Sequence, residues 1–415
     1  MRHTLRVRLF AEDLRPDLPW LSGGFLLTFF SGFGQTYYVA LFAGHLKTDL
    51  VLTEGEFGTL YTIGTLASAA LLTWAGKLAD TVSIRLLGAG VIAGLAATSV
   101  GMSAVSSAWT LALAFFGLRF FGQGMLTHVA MTAMGRWFNR KRGRAVSIAA
   151  LGLPASEGML PLLAVAAIGL FGWRGAWIAG AALLVIVALP VFGVLLRHER
   201  HPTRGPAAAT QPDEEGMRRH WTRGEVLRDP LFYALMPVLL ATPFIITALF
   251  INQVPLVELK GWDLAWFAAN FPVLAAAHVV GALAAGRLAD RFGARRLLTV
   301  YLLPMGAGIL LLVFAESRLV LPGAMVLLGA SLGFASTTHG AVWPELYGAR
   351  HLGAIRAVTT ALAVFATALS PGLVGILMDR GVGLELQLGV MGVYCFFASL
   401  WTALLQGRLE RIAAG

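Results

Sequence analysis

The sequence predicts an all-α membrane protein of twelve transmembrane helices, and three observations lead to that prediction. Of the 415 residues, 57% are hydrophobic and only 13% are charged, with a mean hydropathy of +0.73. A soluble domain carries about 25% charged residues, so this chain lacks the charge to cover a water-facing surface. Apolar runs recur along its whole length, and about 20 such residues suffice to cross about 30 Å of hydrocarbon. Lipid offers the backbone no hydrogen bonds, which leaves helices or closed barrels. Barrel strands alternate polar and apolar over about 10 residues, and these runs do not alternate. They are helices.

The runs fall near residues 20–44, 56–75, 84–104, 108–134, 145–171, 173–196, 231–256, 264–285, 295–315, 319–343, 354–378 and 384–406. They divide the chain into a 1–19 lead-in, a six-helix bundle over 20–196, a polar linker over 197–229, a second bundle over 230–407 and a 408–415 tail. The linker holds Gly205-Pro206, Pro212 and mixed charge. The lead-in is basic, is interrupted by prolines and shows no cleavable signal pattern. Lys and Arg mark cytoplasmic loops, and 26 of the 32 lie on one side of the predicted bundle, in alternate turns and both ends. Both termini are therefore expected in the cytoplasm, in an inner or plasma membrane. One further basic residue, Arg119, falls in the middle of the fourth run.

The two bundles repeat each other. Gly76-Lys77-Leu78-Ala79-Asp80 returns as Gly286-Arg287-Leu288-Ala289-Asp290, Thr127-His128 as Thr338-His339, and Arg144-Ala145-Val146-Ser147 as Arg356-Ala357-Val358-Thr359. All three matches share nearly one offset. Parallel repeats about an axis along the membrane normal, with a solute site between them near the midplane, are a transporter architecture.

The motif Gly286-Arg-Leu-Ala-Asp290-Arg291-Phe-Gly293-Ala-Arg295-Arg296 resembles the loop signature of the major facilitator superfamily. In the first-half copy Thr81 and Ser83 replace the usual basic residue and glycine, while Arg85 survives. Arg119-Phe-Phe-Gly122-Gln-Gly124 resembles the family's fourth-helix motif. Within the superfamily, Arg136-Trp137-Phe138 with Lys141-Arg142-Gly143, and Leu227-Arg228-Asp229-Pro230 with Phe232, resemble the monocarboxylate and oxalate–formate porters. That branch usually carries an arginine in the eighth helix; here Gly281-Ala282-Leu283 offers none and His278 is the ionisable group. The resemblance implies alternating access between two bundles, with inner-gate latches from Asp80 toward Arg356 and from Asp290 toward Arg144.

An ionisable side chain at membrane depth is costly and faces a cavity or a partner. Arg119 and Glu157 both lie near mid-depth on neighbouring antiparallel helices and are expected to meet. Either Glu157 carries a coupling proton tied to Arg119, or the two form a static pair. His278 is a second candidate for handling a proton or an anion. Thr28, Ser31, Gln35 and Tyr38 are spaced by three and four residues and so share one helix face. With Tyr61, Thr65 and Ser68 of the second run they are expected to line a cavity or to pack helix on helix. Asn252 and Gln253 are expected in an outer vestibule, while His128 and His339 are expected to share a structural role.

Other classes find no support. The net charge of +10 sits in turns between apolar runs, which suits a membrane surface rather than nucleic acid. There is no phosphate-binding glycine loop, no His-Glu-x-x-His, no Cys/His cluster and no nucleophile elbow. The single Cys395 can form no intramolecular disulfide. No enzyme, cofactor or metal is expected. The expected protein is a monomeric secondary transporter of a small organic solute, driven by protons, with an organic acid favoured by the resemblance. Efflux of amphipathic compounds is the alternative, and a receptor or assembly factor on the same scaffold is a different class.

Overall fold

The computed structural model describes residues 15–138, 142–198, 220–348 and 350–414. Most of the lead-in, Arg140, Lys141 and the 199–219 part of the linker lie outside them, as does the side chain of Asp80. The described residues form helices and no strand. The principal helices are α1 Leu18–Phe30, α2 Glu54–Ala75, α3 Ile84–Ser103, α4 Ala108–Gly117, α5 Gly152–Leu183, α6 Leu189–Leu195, α7 Pro230–Ile251, α8 Phe271–Phe292, α9 Leu303–Phe314, α10 Leu321–Tyr347, α11 Leu352–Asp379 and α12 Leu384–Ala414. Among the described residues, seven helical stretches are long and apolar enough to cross a membrane. Leu18–Gly34 and Thr36–Leu50, bent by 44°, make an eighth if the pair is one broken span. One of the seven, Gly143–Leu195, is broken at Gly172 (φ 68°, ψ 169°), which separates the two runs read from the sequence there.

Local chemistry sets the helix ends. Thr53 and Glu56 form a reciprocal capping box at the start of α2, and Ser107 with Thr110 does the same for α4. Such a box satisfies two backbone donors that the first turn leaves free. Asp229 caps α7 with Pro230 behind it, where a missing N–H costs nothing. The ninth run was expected to begin near 295, yet α9 begins at Leu303, with Pro304 in its first turn. Proline tolerates that position and disrupts a helix interior.

Helices pack closest where glycines remove the side chain. A Cβ on Gly329 or Gly333 of α10 would collide with the backbone of α8 at Leu274 and His278. This small-xxx-small stripe seats α8 on α10. Between the halves, α2 packs on α11, where a Cβ on Gly58 would strike the Pro371 carbonyl and one on Gly375 the Glu54 carbonyl. Thr62 Oγ1 donates to Ala368 O at 2.6 Å, and Asp379 accepts from Thr53 Oγ1 at 2.7 Å and from the Gly55 N–H at 3.0 Å. Helix α5 meets α8 in the same way, with Gly158 against Pro272 and Ala275.

These main contacts between the halves lie at one end of the bundle. They join the first turns of α2 and α8 to the last turns of α11 and the middle of α5. The opposite end carries the repeated signature turns after α2 and α8. There Asp290 is exposed and makes no ion pair among the described residues. Replacing Gly58 by Val should wedge α2 from α11 and shift the population toward opening at the sealed end by about tenfold, a change of about 1.4 kcal/mol. Spin-label distances between positions 59 and 376 would report it, and an unchanged distribution would count against the seal.

Candidate functional site

The site begins with a break in a helix. After α1 the chain tightens over Ser31–Gly34, and Gln35 leaves helical geometry altogether (φ −84°, ψ 152°) before Thr36–Val39 resumes. The break frees backbone groups at depth, where water cannot satisfy them. Gly34 can sit there because nothing projects from it: a Cβ on Gly122 would lie 2.7 Å from the Gly34 Cα. The facing segment, Leu118–Leu126, is a π-helical continuation of α4 and holds Arg119. A π-turn inside a helix often marks a functional site.

Arg119 answers the break. Its Nη1 donates to the Gly34 carbonyl at 3.1 Å, and its guanidinium lies over the Tyr61 ring, 5.3 Å from the centroid. The Tyr61 hydroxyl shares a 2.7 Å hydrogen bond with Thr36 Oγ1. Arg119 is only 2% exposed, and its Nε has no partner. No carboxylate balances this buried cation among the described residues. The arrangement suits an anionic or strongly polar group of a solute.

A second cluster lies on the seam. Glu157 Oε2 of α5 meets His278 Nδ1 of α8 at 3.0 Å, linking the halves through two side chains that are each largely buried. The neighbouring Ser156 hydroxyl bonds the Tyr37 hydroxyl, and Gln253 Nε2 reaches across from the other half to the Tyr37 carbonyl at 3.0 Å. The Gln253 Oε1 is buried without a partner.

The sequence motifs find their counterpart in a known family. Residues 24–281 match the model of the Major Facilitator Superfamily. The chain belongs to that superfamily. A protein from Aspergillus flavus, MFS transporter asaE, is 25% identical over 355 residues, covering 81% of this chain and 75% of its own. The fold resembles a bacterial homologue of the human lysosomal transporter Spinster in two inward-facing structures. The unoccupied one superposes with a TM-score of 0.71 at 14% identity, over 95% of this chain and 97% of that one. The occupied one gives 0.64 at 18% identity, over 96% and 95%. The major facilitator chain is thus a multi-pass transporter rather than an enzyme, and the kinship established is with the superfamily as a whole.

Several expected neighbours part company. Arg119 and Glu157 do not pair: Arg119 turns to the Gly34 carbonyl and Glu157 to His278. Sequence adjacency of their helices said nothing about which face each residue occupies. Tyr38 packs among Phe33, Phe42 and Trp177, away from the seam, and Tyr37 takes the inward place. The extended residue at Gln35 resets the helical register, so spacing counted across it fails. Thr28 and Ser31 spend their hydroxyls on backbone carbonyls, Thr28 on Ala149 O and Ser31 on Thr28 O at 2.6 Å. Thr65 is buried with its hydroxyl unpartnered, and Asn252 bonds back to Ala248 O at 2.8 Å. Asn252 and Gln253 are buried at the closed end rather than lining an open vestibule. Arg85, Arg144, Arg291 and Arg356 are exposed, with Arg291 over the Phe292 ring. Gly286 has open space around it.

Reasoning from spacing missed Thr36, Tyr37 and Ser156. The pair of glycines at 32 and 34 was the available signal of a break. Arg119→Leu should leave the Gly34 carbonyl without a donor, at a cost of about 1–3 kcal/mol, lowering the thermal-unfolding midpoint in detergent. Arg119→Lys should recover part of the loss; equal midpoints for all three proteins would contradict the assignment.

Proposed function

We propose that this major facilitator is a secondary active transporter of a small organic solute, an organic acid or similar metabolite, coupled to protons. The observation that carries the reading is the Glu157–His278 pair, a titratable link placed on the seam that alternating access must open. Ionisable groups in a membrane interior mark substrate and proton paths. A proton taken or given by this pair changes the charge the seam must hold, so its occupancy and the opening of the seam are linked. The Arg119 cluster is the solute side of the reading, with the broken first helix beside it. Gln35 at the break and Thr65 on α2 belong to the same lining.

In this reading twelve helices cross the membrane as two bundles, 20–196 and 230–407, joined by a cytoplasmic 197–229 linker, with both termini inside. The chain acts as a monomer in an inner or plasma membrane. The sealed end then faces outward, and the conformation is inward-open. Asp80 and Asp290, with Arg85, Gly286 and Arg291 around them, latch the inner gate toward Arg356 and Arg144 when the outer end opens.

A second reading, movement of amphipathic compounds, draws on an apolar cavity of about 430 Å³ between α7, α11 and α12, walled by Phe244, Phe365 and Tyr394. The two readings separate on coupling. In proteoliposomes an imposed proton gradient should drive accumulation by the wild type, while Glu157→Gln should lose accumulation by at least about tenfold and keep solute exchange. Accumulation that survives the change intact would rule out this proton site.

A further inference from the structure

The duplication of the chain is not kept at one place. His128, in the first half, bonds through Nε2 to the Gly76 carbonyl at 3.0 Å and ties its helix to the end of α2. His339 occupies the repeat position on α10 but does not make the repeat bond: Gly286, the repeat of Gly76, has open space around it. The His339 Nε2 is buried with no hydrogen-bond partner, and its ring stands edge-on to Tyr301 at 5.6 Å. A buried polar nitrogen left unmet is costly, so the departure from symmetry calls for a reason.

Beside His339 lies a cavity of about 300 Å³ between α7, α10 and α11. Trp343 and Leu239 supply apolar wall, and Arg356, Thr359 and Thr360 supply polar wall. The Arg356 guanidinium is steadied by a bond from Nη2 to the Gly340 carbonyl, one residue beyond His339. It pairs with no carboxylate among the described residues. An arginine fork has five donors, and one bond leaves most of them for a ligand. The cavity lies near the start of α11 and the end of α10, at the end where the halves stand apart. A cavity of this size, mostly apolar with a few convergent polar groups, has the form of a small-molecule site.

We propose that this cavity is a carboxylate subsite, separate from Arg119. It would take a monoanion with a compact apolar body: Arg356 binds the carboxylate, Thr360 and His339 add hydrogen bonds, and Trp343 packs on the body. The proposal deepens the organic-acid reading above and rests on it for the direction of traffic, but not for binding.

The test is calorimetric titration of the purified full-length protein in detergent with benzoate, and with benzamide as the uncharged isostere. Benzoate should bind and benzamide should not. Arg356→Gln should weaken benzoate by about tenfold or more, as expected for loss of a charge-assisted bond, and Thr360→Val by a smaller factor. Arg356 is exposed and Thr360 lies beside the cavity, so both variants should keep the wild-type unfolding midpoint. Titration of phosphatidylglycerol in place of benzoate separates a solute from a lipid headgroup. Binding of the lipid alone, absence of benzoate binding, or benzoate binding untouched by both variants would overturn the subsite. Benzoate binding lost only in Arg119→Lys would overturn it too, while leaving carboxylate transport standing. Failure of Glu157→Gln to alter accumulation bears on proton coupling alone.

Discussion

A backbone carbonyl released at membrane depth has to find a donor inside the protein, and the bond from Arg119 to Gly34 meets that demand. Around it the other features fall into place. The first helix can break at Gln35 only if its freed groups are met, and Arg119 can lie buried only if its charge is given acceptors and a π-face. Gly34 and Gly122 let the two backbones come close enough for the bond to form. Helix break, π-turn and buried cation are therefore one construction. It places a buried polar cluster in the middle of a bundle whose surroundings are apolar.

The seam between the halves works on a different balance. Its contacts are glycine-backed and short, with few large side chains locked across α2 and α11. Packing of this kind brings the backbones close with few long side chains to disengage. Glu157 and His278 add a charge-dependent contact at the same surface, as Asp379 does at the end of α11. A seam built from backbone approach and a few polar links suits a rigid-body movement of the kind proposed above. The glycine stripe that seats α8 on α10 holds His278 in place within its half.

Much of this was legible in the residues. The apolar runs and the family signatures carried the helical membrane fold, and Arg119, Glu157 and His278 stood out as ionisable groups in apolar company. Their partners were not legible. Helical spacing holds only while the helix does, so the stripe counted through Gln35 placed Tyr38 where Tyr37 belongs. Repeats imply like folds but not like bonds, and His128 and His339 ended with different surroundings.

The sequence by itself determined that this chain must live in lipid as a helical bundle, because hydrophobic length acts along the chain and needs no knowledge of contacts. It also determined which few groups would be costly to bury. Only the tertiary structure decided which of them meet, because that depends on helix rotation, on breaks in register and on which half lies across the seam. Glu157 therefore found His278, 121 residues away, rather than the arginine on the neighbouring helix.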